Sequence, residues 1–192
     1  MPLIYDGNMP KNITYNGNEV RKVVCNDDVV WEKAGTVNVL ATATRGWNSS
    51  DYPTAKVNSS TTYIGACNTS SKRAAIIQFA RLGNYPSPTS VILRLYRLNT
   101  GSYYCRFVPR DDYLNWSINT VISYSTSQDS YEVPGASGGW VDVDITELWP
   151  TILEALNADD GTVWLCIKNN YNTMSFDGDV TGDNCPYLII TN

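Results

Sequence analysis

The sequence predicts an all-β protein: an antiparallel β-sandwich of jelly-roll type with one short helix, preceded by a small N-terminal β-meander. Three observations predict it. Apolar and polar residues alternate with period two in many short runs, most clearly where Val91, Leu93 and Leu95 oppose Arg94 and Tyr96, and where Val141, Val143 and Ile145 oppose Asp142, Asp144 and Thr146. Gly, Pro and Asn punctuate the chain between those runs. The period changes to helical spacing in one place, at Leu148, Ile152 and Leu156. Many short strands with a single helix imply sheet packed on sheet.

Residues 1–33 read as a unit of their own. Strand-like runs at 13–15, 19–25 and 29–32 are separated by Asn16-Gly17-Asn18 and by Asn26-Asp27-Asp28, and Asn-Gly is the strongest short hairpin signal. Three such short strands bury little among themselves. The unit is therefore expected to lean on the main domain, on a copy of itself or on a larger assembly. Ile13, Tyr15, Val20, Val23, Val24, Val29 and Trp31 are its candidate assembly residues.

The main domain is assigned to residues 34–192. A strand over 36–42 precedes a long polar loop that runs through Trp47, Asn48, Tyr52 and Pro53. Strands follow over 61–66, 72–79 and 91–97, and another over 103–108 leads into a long aromatic-bearing loop to Gly139. The stretch from Gly139 to Trp149 passes directly from strand to helix, with Thr146 expected as N-cap, Pro150 in the first turn and Asp159-Asp160-Gly161 as the stop. Strands over 163–168 and 187–191 close the chain.

The composition narrows the chemistry. A formal charge of −5, with 14 Lys and Arg that form no cluster, offers no stripe for phosphate neutralisation, so no nucleic acid partner is expected. The first eight residues lack the apolar segment of a secretory signal, and no apolar run approaches the ~18 residues that span a bilayer. A soluble protein without a membrane partner is expected. The five cysteines, Cys25, Cys67, Cys105, Cys166 and Cys185, are odd in number and form no C-x-x-C pair, which favours buried free thiols. Sequons such as Asn58-Ser59-Ser60 read as polar loops.

There is no histidine. That removes Ser-His-Asp, Cys-His and His-ligated metal sites together. Two carboxylates suffice for glycoside hydrolysis at roughly 5 to 9.5 Å, and Asp142 and Asp144 share one strand face at about 6 to 7 Å by strand rise. Acids on the wet side of a sheet are commonly just solvated, and no catalytic residue is assigned. Asp177, Gly178, Asp179, Gly182 and Asp183 begin like a calcium loop, but Leu188 stands where a bidentate Glu belongs, so neither metal nor cofactor is assigned. Flat aromatic rings near loops remain, with Trp47, Tyr52, Tyr103, Tyr104 and Tyr113 as candidate glycan- or partner-binding residues. Trp116, Trp140 and Trp149 are expected in the core.

Two resemblances bear on function. The run from Lys11 to Asn26, continued through Val29-Val30-Trp31-Glu32, resembles a short N-terminal segment of tail, baseplate and fibre-type structural proteins from phages and prophages of Gram-positive bacteria. The runs 73–79, 88–96, Asn115-Trp116, 140–146 and 186–190 are similar to the DNRLRE-type jelly-roll domain, which is akin to carbohydrate-binding modules, although the family's acidic approach to the last strand is here Asp177-Gly178-Asp179. Together they imply a non-enzymatic virion protein assembled in the host cytoplasm: a tail-fibre, baseplate or decoration component, homo-oligomeric, that docks by its N-terminal segment. Its implied partners are other virion proteins, copies of itself and host-surface glycan. The alternative they imply is a carbohydrate-binding module of a bacterial surface or secreted protein.

Overall fold

A computed structural model describes residues 13–15, 18–20, 22–25, 28–32, 35–48, 54–64, 72–80, 88–99, 103–110, 130–133, 138–158, 162–168 and 173–192. Four short strands come first: β1 (Ile13–Tyr15), β2 (Asn18–Val20), β3 (Lys22–Cys25) and β4 (Asp28–Glu32). They form two separate two-stranded ladders rather than the expected meander. Tyr15 pairs with Asn18, the spacing that a two-residue Asn-Gly connection requires. In the β3–β4 ladder the register shifts between Val23 and Val24, a bulge of the kind that ends regular pairing.

Twelve further strands build the two sheets: β5 (Thr36–Leu40), β6 (Ala43–Trp47), β7 (Lys56–Val57), β8 (Thr62–Ile64), β9 (Ala74–Phe79), β10 (Ser90–Arg97), β11 (Tyr103–Arg110), β12 (Ser130–Val133), β13 (Gly139–Asp144), β14 (Val163–Lys168), β15 (Met174–Phe176) and β16 (Tyr187–Thr191). Sheet I runs β5-β16-β10-β15-β8, with β13 along the other edge of β10. Sheet II runs β12-β11-β14-β9-β6-β7. Every pairing is antiparallel. The protein is an all-β sandwich.

The core lies between the sheets. Val91, Leu93 and Leu95 of β10, Val141 and Val143 of β13, and Leu188 and Ile190 of β16 face Ala75, Ile77 and Phe79 of β9 and Leu165 and Ile167 of β14. Burying each of the Val, Leu, Ile and Phe side chains contributes about 1.5 to 3 kcal/mol. The helical stretch closes one end of this core, with Leu148, Trp149 and Ile152 buried in it. It begins as a tight turn over Thr146–Leu148 and continues as α1 (Trp149–Ala158), with Pro150 in the first turn as expected.

Thr146 is not the N-cap. It lies inside the tight turn, and its hydroxyl accepts from the Val91 N–H (2.9 Å) while donating to Asp144 Oδ1 (2.5 Å). Asp144 Oδ1 also accepts the Thr146 N–H (2.9 Å), so the carboxylate two residues earlier organises the turn.

Four strands were not expected: β6, β7, β12 and β15. Gly46 in β6 looks like a loop residue, but a Cβ there would meet Thr62 Cγ2 at 2.7 Å. The glycine thus makes room for the Thr62 side chain of β8 and does not mark a turn. The short β15 is held by a side chain that imitates backbone: Asn99 donates to the Thr173 carbonyl (2.9 Å) and accepts the Ser175 N–H (3.0 Å). Cys166 and Cys185 are buried free thiols, as expected. Burial pushes the Cys185 thiol up, and its Sγ lies 3.3 Å from the Pro186 carbonyl oxygen.

Candidate ligand-binding face

The outer face of sheet I is built by the residues that alternate with the core. On β10 these are Ile92, Arg94 and Tyr96; on β13, Trp140, Asp142 and Asp144; on β16, Tyr187 and Ile189. Register brings them into rows. Arg94 lies opposite both Asp142 and Tyr187, and Tyr96 lies opposite Trp140. Tyr187 in turn lies opposite Leu40 on β5.

Side chains convert the rows into one patch. Arg94 grips Asp142 with both arms, Nε to Oδ1 at 2.5 Å and Nη2 to Oδ2 at 2.6 Å, and donates from Nη1 to the Tyr187 hydroxyl at 3.0 Å. The bond to Asp142, and then that to Tyr187, raises the Arg94 guanidinium above the ordinary arginine value and keeps it charged. Trp140 reaches across β10, with its ring centroid 5.4 Å from that of Tyr96 and 5.4 Å from that of Tyr187. Both contacts are edge-to-face, at 83° and 66°, the arrangement that ring quadrupoles favour. Trp140 nevertheless remains 40% exposed. A large indole is thus fixed in place yet open to solvent, beside a fixed ion pair.

This arrangement suits binding. Rings locked by their neighbours present apolar surface with little rotamer freedom left to lose, and the guanidinium and carboxylate supply directional hydrogen bonds beside them. The two acids on this face are otherwise engaged: both oxygens of Asp142 meet the guanidinium, and Asp144 holds the Thr146 turn.

The residues singled out from sequence fare differently. Trp47 is corrected: it ends strand β6 instead of sitting in a loop, pairs with Ala74, and is 2% exposed in a second apolar cluster with Ile76, Trp164 and Cys166. Such a ring offers no face to a ligand. Tyr52 and Tyr113, and the side chains of Tyr103 and Tyr104 on β11, lie outside the described residues. Of the candidate assembly residues, Tyr15 is 72% exposed. Ile13, Val20, Val23, Val24, Val29 and Trp31 are placed on β1 to β4, and their side chains lie outside the described part. Trp149 is core as expected, whereas Trp140 is surface. The missed signal was parity: Trp140 alternates with Val141 and Val143 just as Asp142 and Asp144 do.

Among the described residues no group of three or more Cys, Asp or Glu side chains is placed to hold a metal ion. In the 177–184 loop the carboxylates close turns. Asp177 accepts the Asp179 N–H (3.1 Å) and the Asn184 amide (3.1 Å), and Asp179 Oδ1 accepts the Thr181 N–H (2.9 Å) and hydroxyl (2.7 Å). Those Thr181 bonds, the hydroxyl first, hold the Asp179 carboxyl below the usual range. No described helix is long and apolar enough to cross a membrane.

The class that fold and face define is an antiparallel β-sandwich bearing an aromatic and charged outer sheet face. No family model matches the chain, and no curated protein matches it either.

Proposed function

We propose that this chain is a non-enzymatic virion structural protein, a tail-fibre, baseplate or capsid decoration component. Its N-terminal segment docks it to the particle, and its sandwich, of jelly-roll type, meets glycan on the host surface. The observation that carries the glycan half is the Tyr96–Trp140–Tyr187 ring cluster beside the Arg94–Asp142 pair, exposed on the outer face of sheet I. Sugars offer flat C–H faces edged by hydroxyls, and this patch offers immobilised rings edged by donors and acceptors. The anchoring half rests on the likeness of residues 11–32 to phage tail and fibre segments.

The same face would serve a carbohydrate-binding module of a bacterial surface or secreted protein. Deleting residues 1–33 separates the two readings. In the first, the shortened chain still binds glycan but is lost from assembled particles; in the second, deletion changes no assembly. Incorporation of the shortened chain at the full level would contradict the virion reading.

A further inference from the structure

Among the described residues, strand β5 is a sheet edge without the protection that the other edges of the sandwich carry. Among the described residues the sheets end on β5, β7, β8, β12 and β13. β7 is two residues long and includes Lys56, β8 is three residues long, β12 includes Glu132, and β13 includes Asp142 and Asp144. Shortness and charge are the usual defences against strand addition. β5 reads Thr36-Val37-Asn38-Val39-Leu40, with no charge and no proline. It is exposed along nearly its whole length, with Val37 40% and Leu40 60% exposed.

Hydrogen-bond phase shows which groups are open. The Asn192 N–H donates to the Gly35 carbonyl (3.0 Å) and the Ala41 N–H to the Pro186 carbonyl (2.8 Å), so the odd-numbered residues of this strand face β16. The main-chain groups of Thr36, Asn38 and Leu40 therefore point to the open side. Side chains split the other way: Val37 and Val39 point toward the opposite sheet, as do their partners Ile190 and Leu188.

We infer that β5 pairs antiparallel with β5 of a second copy of this chain, about a two-fold axis at Asn38. That register sets Thr36 against the partner's Leu40, Val37 against the partner's Val39, and Asn38 against itself. It is self-complementary on three counts. Every open N–H and C=O of Thr36, Asn38 and Leu40 finds a partner, the exposed Val37 is covered by another inward-facing valine, and no like charges meet. A proline-free, uncharged strand of this symmetry suits its own copy. The axis stands perpendicular to the joined sheet, so the two Trp140 faces look the same way. That consequence rests on the glycan reading, whereas the dimer does not. A pair of faces would multiply weak sugar contacts on a repetitive surface.

A single five-residue strand makes a small interface, below the about 1,200 Å² of stable complexes, so the dimer is a weak, reversible one. Sedimentation of the full chain over about 5 to 500 μM tests it, a range spanning weak association. A concentration-dependent dimer is expected. Asn38→Pro removes one outward N–H and leaves the β16 ladder intact, and it should weaken dimerisation at least about tenfold with the thermal midpoint preserved. Asn38→Cys provides a second reading. Opposed residues in a hydrogen-bonded pair lie about 5.5 Å apart at Cα, within disulfide range, so mild oxidation should trap a covalent dimer that the parent chain does not form. A monomer across the whole range would overturn the proposal. So would a dimer indifferent to Asn38→Pro, or an Asn38→Cys chain that cross-links no more than the parent.

Discussion

At the scale of single residues, the outer face of sheet I shows how little an ion pair contributes to stability and how much it contributes to order. The Arg94–Asp142 pair is exposed, and such pairs are worth about 0 to 1 kcal/mol. Its role is to fix Tyr187 and so the edge against which Trp140 rests. In the 177–184 loop the Asp179 carboxyl is held low chiefly by the Thr181 hydroxyl. A depressed folded value means that this contribution is present above the ordinary carboxylate value of about 3.9 and is lost as pH falls through the lower folded value. Thr181→Val should therefore raise the Asp179 pKa toward the ordinary value, read from a carboxyl NMR titration. An unchanged titration would show that the hydroxyl does not govern it.

At the scale of elements, two devices hold the sandwich together. Where β15 ends, Gly178 lies against β6 and β8: the Thr44 hydroxyl donates to its carbonyl (2.6 Å), and a Cβ at this position would overlap Thr62 Oγ1 and stand 3.0 Å from the Ser59 carbonyl oxygen. Gly178→Ala should lower unfolding free energy by about 1 to 3 kcal/mol in denaturant titration; a neutral effect would mean that the junction relaxes freely. The helical cap is the second device. Ile152 is fully buried with Leu148 and Trp149, and Ile152→Ala should cost about 2 to 5 kcal/mol in the same measurement.

Strands with clean alternation, such as β10, β13 and β16, were legible because one face is core and the other solvent. β6 and β15 were not. Gly46 and Asn99 serve tertiary contacts that leave no local period, whereas β9 and β14, buried on both faces over much of their length, read as continuous apolar runs. The candidate face was legible only in part. The outward placement of Arg94, Tyr96, Asp142 and Asp144 follows from alternation, but register alone brings Tyr187 from the last strand beside them. Trp47 misled because a tryptophan flanked by polar residues reads like a loop, whereas its ring seals a second cluster on sheet II.

At the scale of the molecule, the proposal divides labour between an N-terminal anchor and a displayed sandwich, and the sandwich divides it again by face. Its inner faces make the core; in the proposed reading the outer face of sheet I carries the ligand-facing rings and the β5 edge of that sheet joins copies. Sugar binding by the face around Trp140 is the proposal on which this division rests. Calorimetric titration of the intact chain and of Trp140→Ala with host cell-wall polysaccharide tests it most directly. Saturable binding by the parent chain is expected, reduced at least about tenfold in the variant, with both chains folded at the temperature of the titration. Failure of the parent chain to bind, or binding that survives Trp140→Ala but is lost in Tyr103→Ala or Tyr104→Ala, would contradict it.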